Sequence, residues 1–396
     1  MTMADLKNQS SAYRNALLDD TVPFWLKYGM DAQYGGLMTS LDREGNVVDT
    51  DKAVWPQGRF AWLLATLYNT VEQRQDWLDA ALSCLQFMED HAFDDDGKMY
   101  FLLTREGQPL RMRRYFYSEA FASMAYAACA RATGKREYAT KAEQLFNNFT
   151  RGNFTPGVMT PKFVDGTRPA KAMGPWMIAL NVAQTLRENI DYKHAEVWID
   201  RCIQSIELDF CKPKLGALME CVGEDGSVLD TFDGRQLNPG HAFEAAWFIL
   251  YEARVRGNAR WVELGTQIVD WMWERGWDKE HGGVYYFRDV YDKPASEYWH
   301  DMKFWWPHNE AILATLLAYN LSGEERFAER YLQVSEWAQQ HFADPAHGEW
   351  FGYLHRDGSR STDLKGNHWK GPFHLPRQQY YCWQFLQDVT RKRRDR

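Results

Sequence analysis

His241 and Glu244 stand three residues apart in the run Asn238-Pro239-Gly240-His241-Ala242-Phe243-Glu244-Ala245-Ala246-Trp247. Pro-Gly followed by a helical apolar pattern predicts a helix start here, with both side chains on one face of its first turn. An imidazole and a carboxylate so placed are a proton-transfer pair, half of a metal site, or a polar cap. Similar groups precede other apolar runs. Arg59 follows Trp55-Pro56-Gln57-Gly58, and Glu119 follows Arg114-Tyr115-Phe116-Tyr117-Ser118. Met173-Gly174-Pro175-Trp176 leads to Asn181. His308 and Glu310 close Trp305-Trp306-Pro307-His308-Asn309-Glu310, and His374 and Arg377 lie in Gly371-Pro372-Phe373-His374-Leu375-Pro376-Arg377. Proline at a helix start has a structural reason. Capping does not require the arginines, histidines and glutamates beside it, although any one of them alone reads as cap or core.

Three chemistries compete for such a set. A metal centre would use His241 and Glu244 as an i, i+3 ligand pair, but the chain has no second such pair and no His-x-x-x-His, so no metal is expected. A glycosidase would need two carboxylates from Glu119, Glu244 and Glu310, which leaves the histidines without a task. Two histidines at one pocket suit proton transfer near neutral pH. Bases on opposite faces of a carbon remove a proton from one side and return it on the other, inverting the centre. That requires a C–H acidified by a neighbouring carbonyl and a cation for the enolate oxygen, a part suited to Arg59.

These residues act together only if the fold gathers them. Gly35, Gly97, Gly157, Gly216, Gly282 and Gly348 recur in turn-like runs at a spacing of roughly 60 residues, enough for a β-hairpin and two helices. The intervening segments predict helix pairs over 55–70 and 76–91, 118–133 and 136–149, 175–189 and 194–208, 241–255 and 261–275, and 310–320 and 326–341. A last helix over 376–391 lacks a successor, so the amphipathic segment 11–29, bent near Pro23, completes the sixth pair. Six helical hairpins that close on themselves form an all-α (α/α)6 barrel with short β-hairpins between the pairs, and nothing linker-like divides residues 1–396 into more than one domain. An open solenoid would need polar capping helices at both ends. In the barrel the first helix of each pair lines the interior, and all the starts above meet at one mouth.

The composition agrees. The chain has 396 residues, 45% hydrophobic and 25% charged, with 18 Trp, 20 Tyr and 22 Phe. That aromatic content suits a pocket that stacks sugar rings. A net charge of −8 argues against a nucleic-acid partner. The one basic run, Arg391-Lys392-Arg393-Arg394, reads as a solvated tail. Six scattered cysteines without Cys-x-x-Cys, no signal pattern at Met1–Lys7 and no membrane-length apolar run predict a soluble cytoplasmic protein with no membrane contact.

Trp55–Arg59 (WPQGR), Asn238–Trp247 (NPGHAFEAAW), Trp305–Glu310 (WWPHNE), Gly348–Leu354 (GEWFGYL) and Lys370–Arg377 (KGPFHLPR) resemble the N-acylglucosamine 2-epimerase family, which includes the renin-binding proteins. The resemblance covers about residues 20–385 with motif order preserved. It implies a homodimeric (α/α)6 barrel interconverting N-acetyl-D-glucosamine and N-acetyl-D-mannosamine, an amino-sugar reaction linked to sialic acid precursors, by ring opening and proton exchange at C2. It implies His241 and His374 as the acid/base pair, Arg59 as stabiliser of the enolate and O1, and Glu244 and Glu310 as orienting partners. Tyr117, Glu119, Trp176, Asn181, Trp305, His308, Trp369 and Arg377 are the expected substrate-binding residues. The wider superfamily's free-sugar epimerases, among them those acting on cellobiose, and its aldose–ketose isomerases supply the alternative reading. They commonly carry a further histidine on the third inner helix, where this chain has Trp176, Met177 and Asn181. A protease-binding scaffold is the non-enzyme alternative. No cofactor is required for the chemistry. The resemblance admits ATP as an allosteric activator; the chain has no Gly-x-x-x-x-Gly-Lys-Ser/Thr loop, and residues 157–171 are a weak candidate for its site.

Overall fold

The computed structural model describes residues 3–164 and 166–394. Its helices, in chain order, are α1 (Met3–Asn15), α2 (Val22–Tyr28), α3 (Val54–Thr70), α4 (Gln75–His91), α5 (Tyr117–Thr133), α6 (Arg136–Phe154), α7 (Gly174–Ile190), α8 (Ala195–Ser205), the single turn α9 (Phe232–Arg235), α10 (Pro239–Arg256), α11 (Ala259–Gly276), α12 (Trp305–Ser322), α13 (Glu325–Phe342) and α14 (His374–Arg394). Two kinds of sequence make two layers. α12 is buried at every residue from Trp305 to Tyr319, as expected of a helix enclosed on all sides. Its successor α13 buries one stripe, Phe327, Ala328, Tyr331, Val334, Ala338 and Phe342, and turns its charged face to water. α3, α5, α7, α10, α12 and α14 form the inner ring; each packs on its neighbours, and the outer helices brace them. The ring closes where Tyr380 of α14 donates to Thr70 Oγ1 of α3 and Trp62 meets Phe373 edge-on at 5.6 Å. This is the expected (α/α)6 barrel, and one hydrophobic cluster runs from Leu6 to Val389.

Several boundaries differ from the expectation for identifiable reasons. The outer helix that completes the sixth pair begins at Met3 rather than near residue 11, and it stays continuous past Pro23. Proline cannot donate to the residue four back, and a π-helical turn over Ala16–Thr21 immediately precedes it and absorbs the mismatch. α12 starts five residues earlier than expected because Pro307 sits inside its first turn, where a missing N–H is harmless. α14 carries the backbone of the basic run to Arg394, so that run ends a helix; its side chains beyond Arg391 lie outside the described residues.

The recurring glycines all take positive φ, from 55° at Gly216 to 80° at Gly157. They turn the chain from each outer helix back to the mouth. The strand just before an inner helix then pairs with the hairpin of the next repeat: Lys52–Ala53 with Leu102–Leu103, Ala170–Ala172 with Cys221–Gly223, Gln236–Leu237 with Arg288–Asp289, and Lys303–Phe304 with Tyr353–Leu354. Buried ion clusters repeat at the same places. Asp31 binds Lys52 at 2.9 Å and Arg105 at 2.8 Å; Asp278 binds Lys303 at 3.0 Å and Arg356 at 2.9 Å. Asp344 binds Lys365 at 3.0 Å and Arg43 at 2.7 Å, so the first hairpin is tied to the last repeat. The lysines are fully buried, and each is matched by an aspartate, as burial of charge demands. These staples fix the mouth that holds the site.

Candidate active site

Tandem repeats give every inner helix the same register, and this decides which side chains reach the interior. Counting from the proline at the start, the second residue onward points inward in α7, α10 and α14: Met177, His241 and His374. The third does so in α3 and α7, with Arg59 and Ile178. Together with Trp55, Tyr117, Phe121, Glu244, Trp305, Trp306 and Trp369 they line a cavity of about 650 Å³ at the mouth. The loops add Tyr286, Trp299, Tyr353 and Asn367.

Two histidines face this cavity under different constraints. His241 Nδ1 lies 2.9 Å from Glu220 Oε1, and its backbone N–H caps onto Asn238 Oδ1. Burial disfavours the charge on His241, but the carboxylates around it, Glu220 first and then Glu244 and Glu310, together outweigh it, and the pKa sits above the ordinary 6.5. His374 Nδ1 lies 2.6 Å from Glu310 Oε1. Burial, and after it the positive Arg377, push His374 well below 6.5 against the pull of Glu244. In both rings the Nδ1 bond leaves Nε2 as the nitrogen without a protein partner among the described residues. The Trp306 ring contacts both, its centroid 5.0 Å from that of His241 and 5.5 Å from that of His374. Gly240 is required for this approach, since a Cβ there would come within 2.5 Å of Trp306 Cζ3.

A cation network lies beneath. Arg377 is buried and donates to Glu244 Oε1 at 2.5 Å and Glu310 Oε1 at 2.8 Å, while Trp247 Nε1 donates to Glu310 Oε2 at 2.6 Å. Glu244, Glu310 and His374 bring potential ligand atoms within 4.8 Å of one another. The guanidinium already bonds both carboxylates, and His374 Nδ1 engages Glu310, so this donor set is already engaged as an ion network. Arg59 differs. It is held over Phe121 at 3.9 Å, Phe373 at 4.4 Å and Trp55 at 4.5 Å, and its Nε has no partner among the described residues. Burial, opposed by Glu244, lowers its pKa to about 9, which leaves it cationic at neutral pH with hydrogen-bond donors free for an oxygen in the cavity.

Of the residues expected at the site, the structure brings His241, His374, Arg59, Glu244, Tyr117, Trp305 and Trp369 to the cavity, with Glu310 directly behind His374. Five expected contacts are corrected. Arg377 lies under the floor, engaged by two glutamates. Asn181 is one turn deeper than Met177 on the same face and does not line the cavity. The other three share one register, the first residue after the proline position, which points back at a neighbouring element. His308 Nε2 accepts from the Val284 N–H at 2.9 Å and its Nδ1 donates to the Phe304 carbonyl; burial holds it neutral, with a pKa of about 3. Trp176 packs on Phe154, ring centroids 4.2 Å apart. Glu119 accepts from the Met99 N–H at 2.9 Å and is fully buried.

Glu119 repeats the part that Gln57 plays one repeat earlier, where Oε1 accepts from the Leu37 N–H and Nε2 donates to the Leu37 carbonyl, both at 2.7 Å. A carboxylate cannot make the second bond, and Glu119 Oε2 has no partner among the described residues. Burial raises its pKa to about 7. The folded chain therefore keeps this proton to higher pH than the unfolded chain. The associated stability is complete below the unfolded carboxyl pKa and is lost as pH rises through 7. Glu119→Gln is expected to be more stable than the parent by about 3 kcal/mol at pH 8 and equal to it near pH 4.5, read from urea denaturation at both values.

Sequence reasoning missed Glu220, Phe121, Trp306 and the loop residues as site members. Glu220 did carry a signal, as the one acid in the otherwise apolar run Ala217–Val222. Tyr286, Trp299 and Asn367 sit on irregular connections with no register to read, and Tyr353 on a two-residue strand too short to show one.

The family profile described as N-acylglucosamine 2-epimerase (GlcNAc 2-epimerase) matches residues 35–374. The chain is 36% identical over 382 residues to the N-acylglucosamine 2-epimerase of Homo sapiens, covering 93% of this chain and 88% of that protein. Its fold is similar to that of the cellobiose 2-epimerase of Bacillus thermoamylovorans B4167, with a TM-score of 0.83, 20% identity and coverage of 96% and 99% of the two chains. It is similar as well to a D-mannose isomerase, with a TM-score of 0.80, 18% identity and coverage of 97% and 98%. With the barrel, the mouth and the paired histidines in place, the chain belongs to the N-acylglucosamine 2-epimerase family of isomerases.

Proposed function

We propose that the chain, acting as a single catalytic domain over residues 1–396, interconverts N-acetyl-D-glucosamine and N-acetyl-D-mannosamine by proton exchange at C2 of the open-chain sugar. The observation that carries this reading is the pair of histidines that line one cavity and both contact Trp306, one biased towards neutral and the other towards charged. In the resting protein His374 Nε2 holds the free lone pair and is the base, and His241 is the protonated acid. His374 takes the C2 proton, the C2–H electrons move into the C1–C2 bond, and the C1 carbonyl becomes an enolate held at O1 by Arg59. His241 then delivers its proton to the opposite face of C2, the electrons return to the carbonyl, and the configuration is inverted. The reverse reaction uses the same groups in exchanged roles. Glu310 and Glu220 hold the two rings through Nδ1, and Glu244 and Arg377 support the floor. Tyr117, Trp305, Trp306 and Trp369 offer faces to the sugar.

ATP enters this reading as an allosteric activator rather than a reactant, and its placement near residues 157–171 rests on composition alone. The reading also includes a homodimer in the cytoplasm. All six cysteines are free, which supports a reducing compartment, and no described helix is long and apolar enough to cross a membrane. Turnover of N-acetylmannosamine, N-acetylglucosamine, mannose, glucose and cellobiose, each with EDTA and with added ATP, tests the function. The N-acetyl sugars are expected to be the preferred substrates and EDTA to be without effect; a higher kcat/KM on mannose or cellobiose would overturn the assignment.

The pH profile follows from the two shifts. In the direction in which His374 is the base, kcat/KM requires neutral His374 and protonated His241, so it falls below the lowered pKa of the first and above the raised pKa of the second, with a plateau around 6.5 between them. Glu220→Gln removes the charge that raises His241 while retaining an acceptor for Nδ1. The alkaline limb is expected to move to lower pH with the acid limb unchanged. An unmoved alkaline limb would detach Glu220 from His241's titration.

A further inference from the structure

A second feature of the mouth is an unpaired cation. Arg113 lies on the segment between the strand Pro109–Arg111 and α5, half-buried, with its guanidinium 4.5 Å from the Phe101 ring centroid and 4.9 Å from that of Trp369. Among the described residues no carboxylate pairs with it. Burial and the like charge of Arg111 both lower its pKa, with only Tyr115 opposing. Its other cationic neighbours in the chain, Arg114 and Lys98, bond the Tyr115 hydroxyl and cover the Phe116 ring respectively. Elsewhere around this mouth the buried cations Lys52, Lys303, Lys365 and Arg377 each meet an acid, and Arg59, the exception, faces the reacting end of the cavity. A half-buried guanidinium facing another arginine and no anion is a receptor for one.

Its position indicates which anion. Arg113 lines a small cleft with Phe101, Tyr115 and Ser118, and that cleft shares Trp55 and Tyr117 with the main cavity. Trp369, 43% exposed, is the rim residue between them. The reacting end of a sugar must lie deep, beside His374 and Arg59, so its far end points to the rim. A cavity of about 650 Å³ exceeds one hexosamine and leaves room for a substituent there.

The geometry points to a rim anion site: an N-acyl hexosamine carrying a phosphate on its far hydroxymethyl oxygen binds in the cavity with the phosphate on Arg113, in competition with the neutral sugar. This rests on the amino-sugar reading of the cavity. Neutral-sugar epimerisation in the same assay separates the two, since its absence defeats that reading alone, and calorimetric titration then still measures binding at the rim. The assay follows N-acetylmannosamine turnover with N-acetylglucosamine 6-phosphate or inorganic phosphate as inhibitor, on the parent, Arg113→Gln and Arg113→Lys. The phosphosugar is expected to compete with a Ki at least tenfold below the KM of the neutral sugar at low salt, weakening as salt screens the pair. Arg113→Gln is expected to raise that Ki tenfold or more and Arg113→Lys to restore most of it, with kcat/KM on the neutral sugar within threefold throughout. Inorganic phosphate alone should inhibit weakly and not at all in Arg113→Gln. A Ki unchanged in Arg113→Gln, no competition, or inhibition by phosphate as strong as by the phosphosugar overturns the proposal.

Discussion

Replacing His374 with asparagine lowers kcat for N-acetylmannosamine epimerisation by roughly a thousandfold while the barrel stays folded. The imidazole is the base in one direction and the acid in the other, so the loss appears in both directions. Asparagine can still offer a hydrogen bond to Glu310, which keeps the network beneath intact, and a circular dichroism melt should move little. KM is expected to change far less than kcat, because the ring acts on the moving proton more than on the bound sugar. A variant with near-parental kcat would remove His374 from the chemistry.

Arg377→Met has the largest expected effect on stability. The guanidinium lies 2.5 Å from Glu244 and 2.8 Å from Glu310, all three buried. Removing it leaves two carboxylates without their counter-charge, a loss of about 3–5 kcal/mol. One of them is expected to take up a proton to relieve the repulsion. The positive charge of Arg377 also depresses the His374 pKa, so whatever activity survives should show its acid limb at higher pH. Adding Glu244→Gln to Arg377→Met should recover part of the stability, as urea denaturation would show. If the double variant is no more stable than Arg377→Met alone, the uncompensated charge is not the cause.

The barrel was legible because its period is written in the chain. Glycines spaced about one helical hairpin apart mark each return to the mouth, and the apolar runs between them alternate between fully buried and one-sided. The helices carrying the site were therefore identified together with its main groups. The register within each turn was harder to read. His308 and His374 look alike in sequence, one directly after Pro307 and the other one residue further from Pro372. One residue of offset turns His308 against the Val284 N–H and His374 into the cavity. The same offset turned Trp176 and Glu119 away, and alignment of the repeats on their prolines would have separated inward from sideways positions. Arg377 was misread for another reason: its type suits a sugar, but only the fold reveals that two glutamates already hold it. Tyr286, Trp299 and Asn367 were out of reach because long-range packing, and not a local pattern, places those loops.

The central claim is that two histidines work from opposite faces of C2. Proton NMR in heavy water tests it most directly, by following the C2 signal of N-acetylglucosamine and N-acetylmannosamine separately with the parent, His374→Asn and His241→Asn. The parent should place one deuterium at C2 as it interconverts the sugars. Each variant should exchange the C2 proton of one epimer only, a different one in each case, without producing the other epimer. Interconversion by either variant, or exchange of the same epimer by both, would contradict the two-face account.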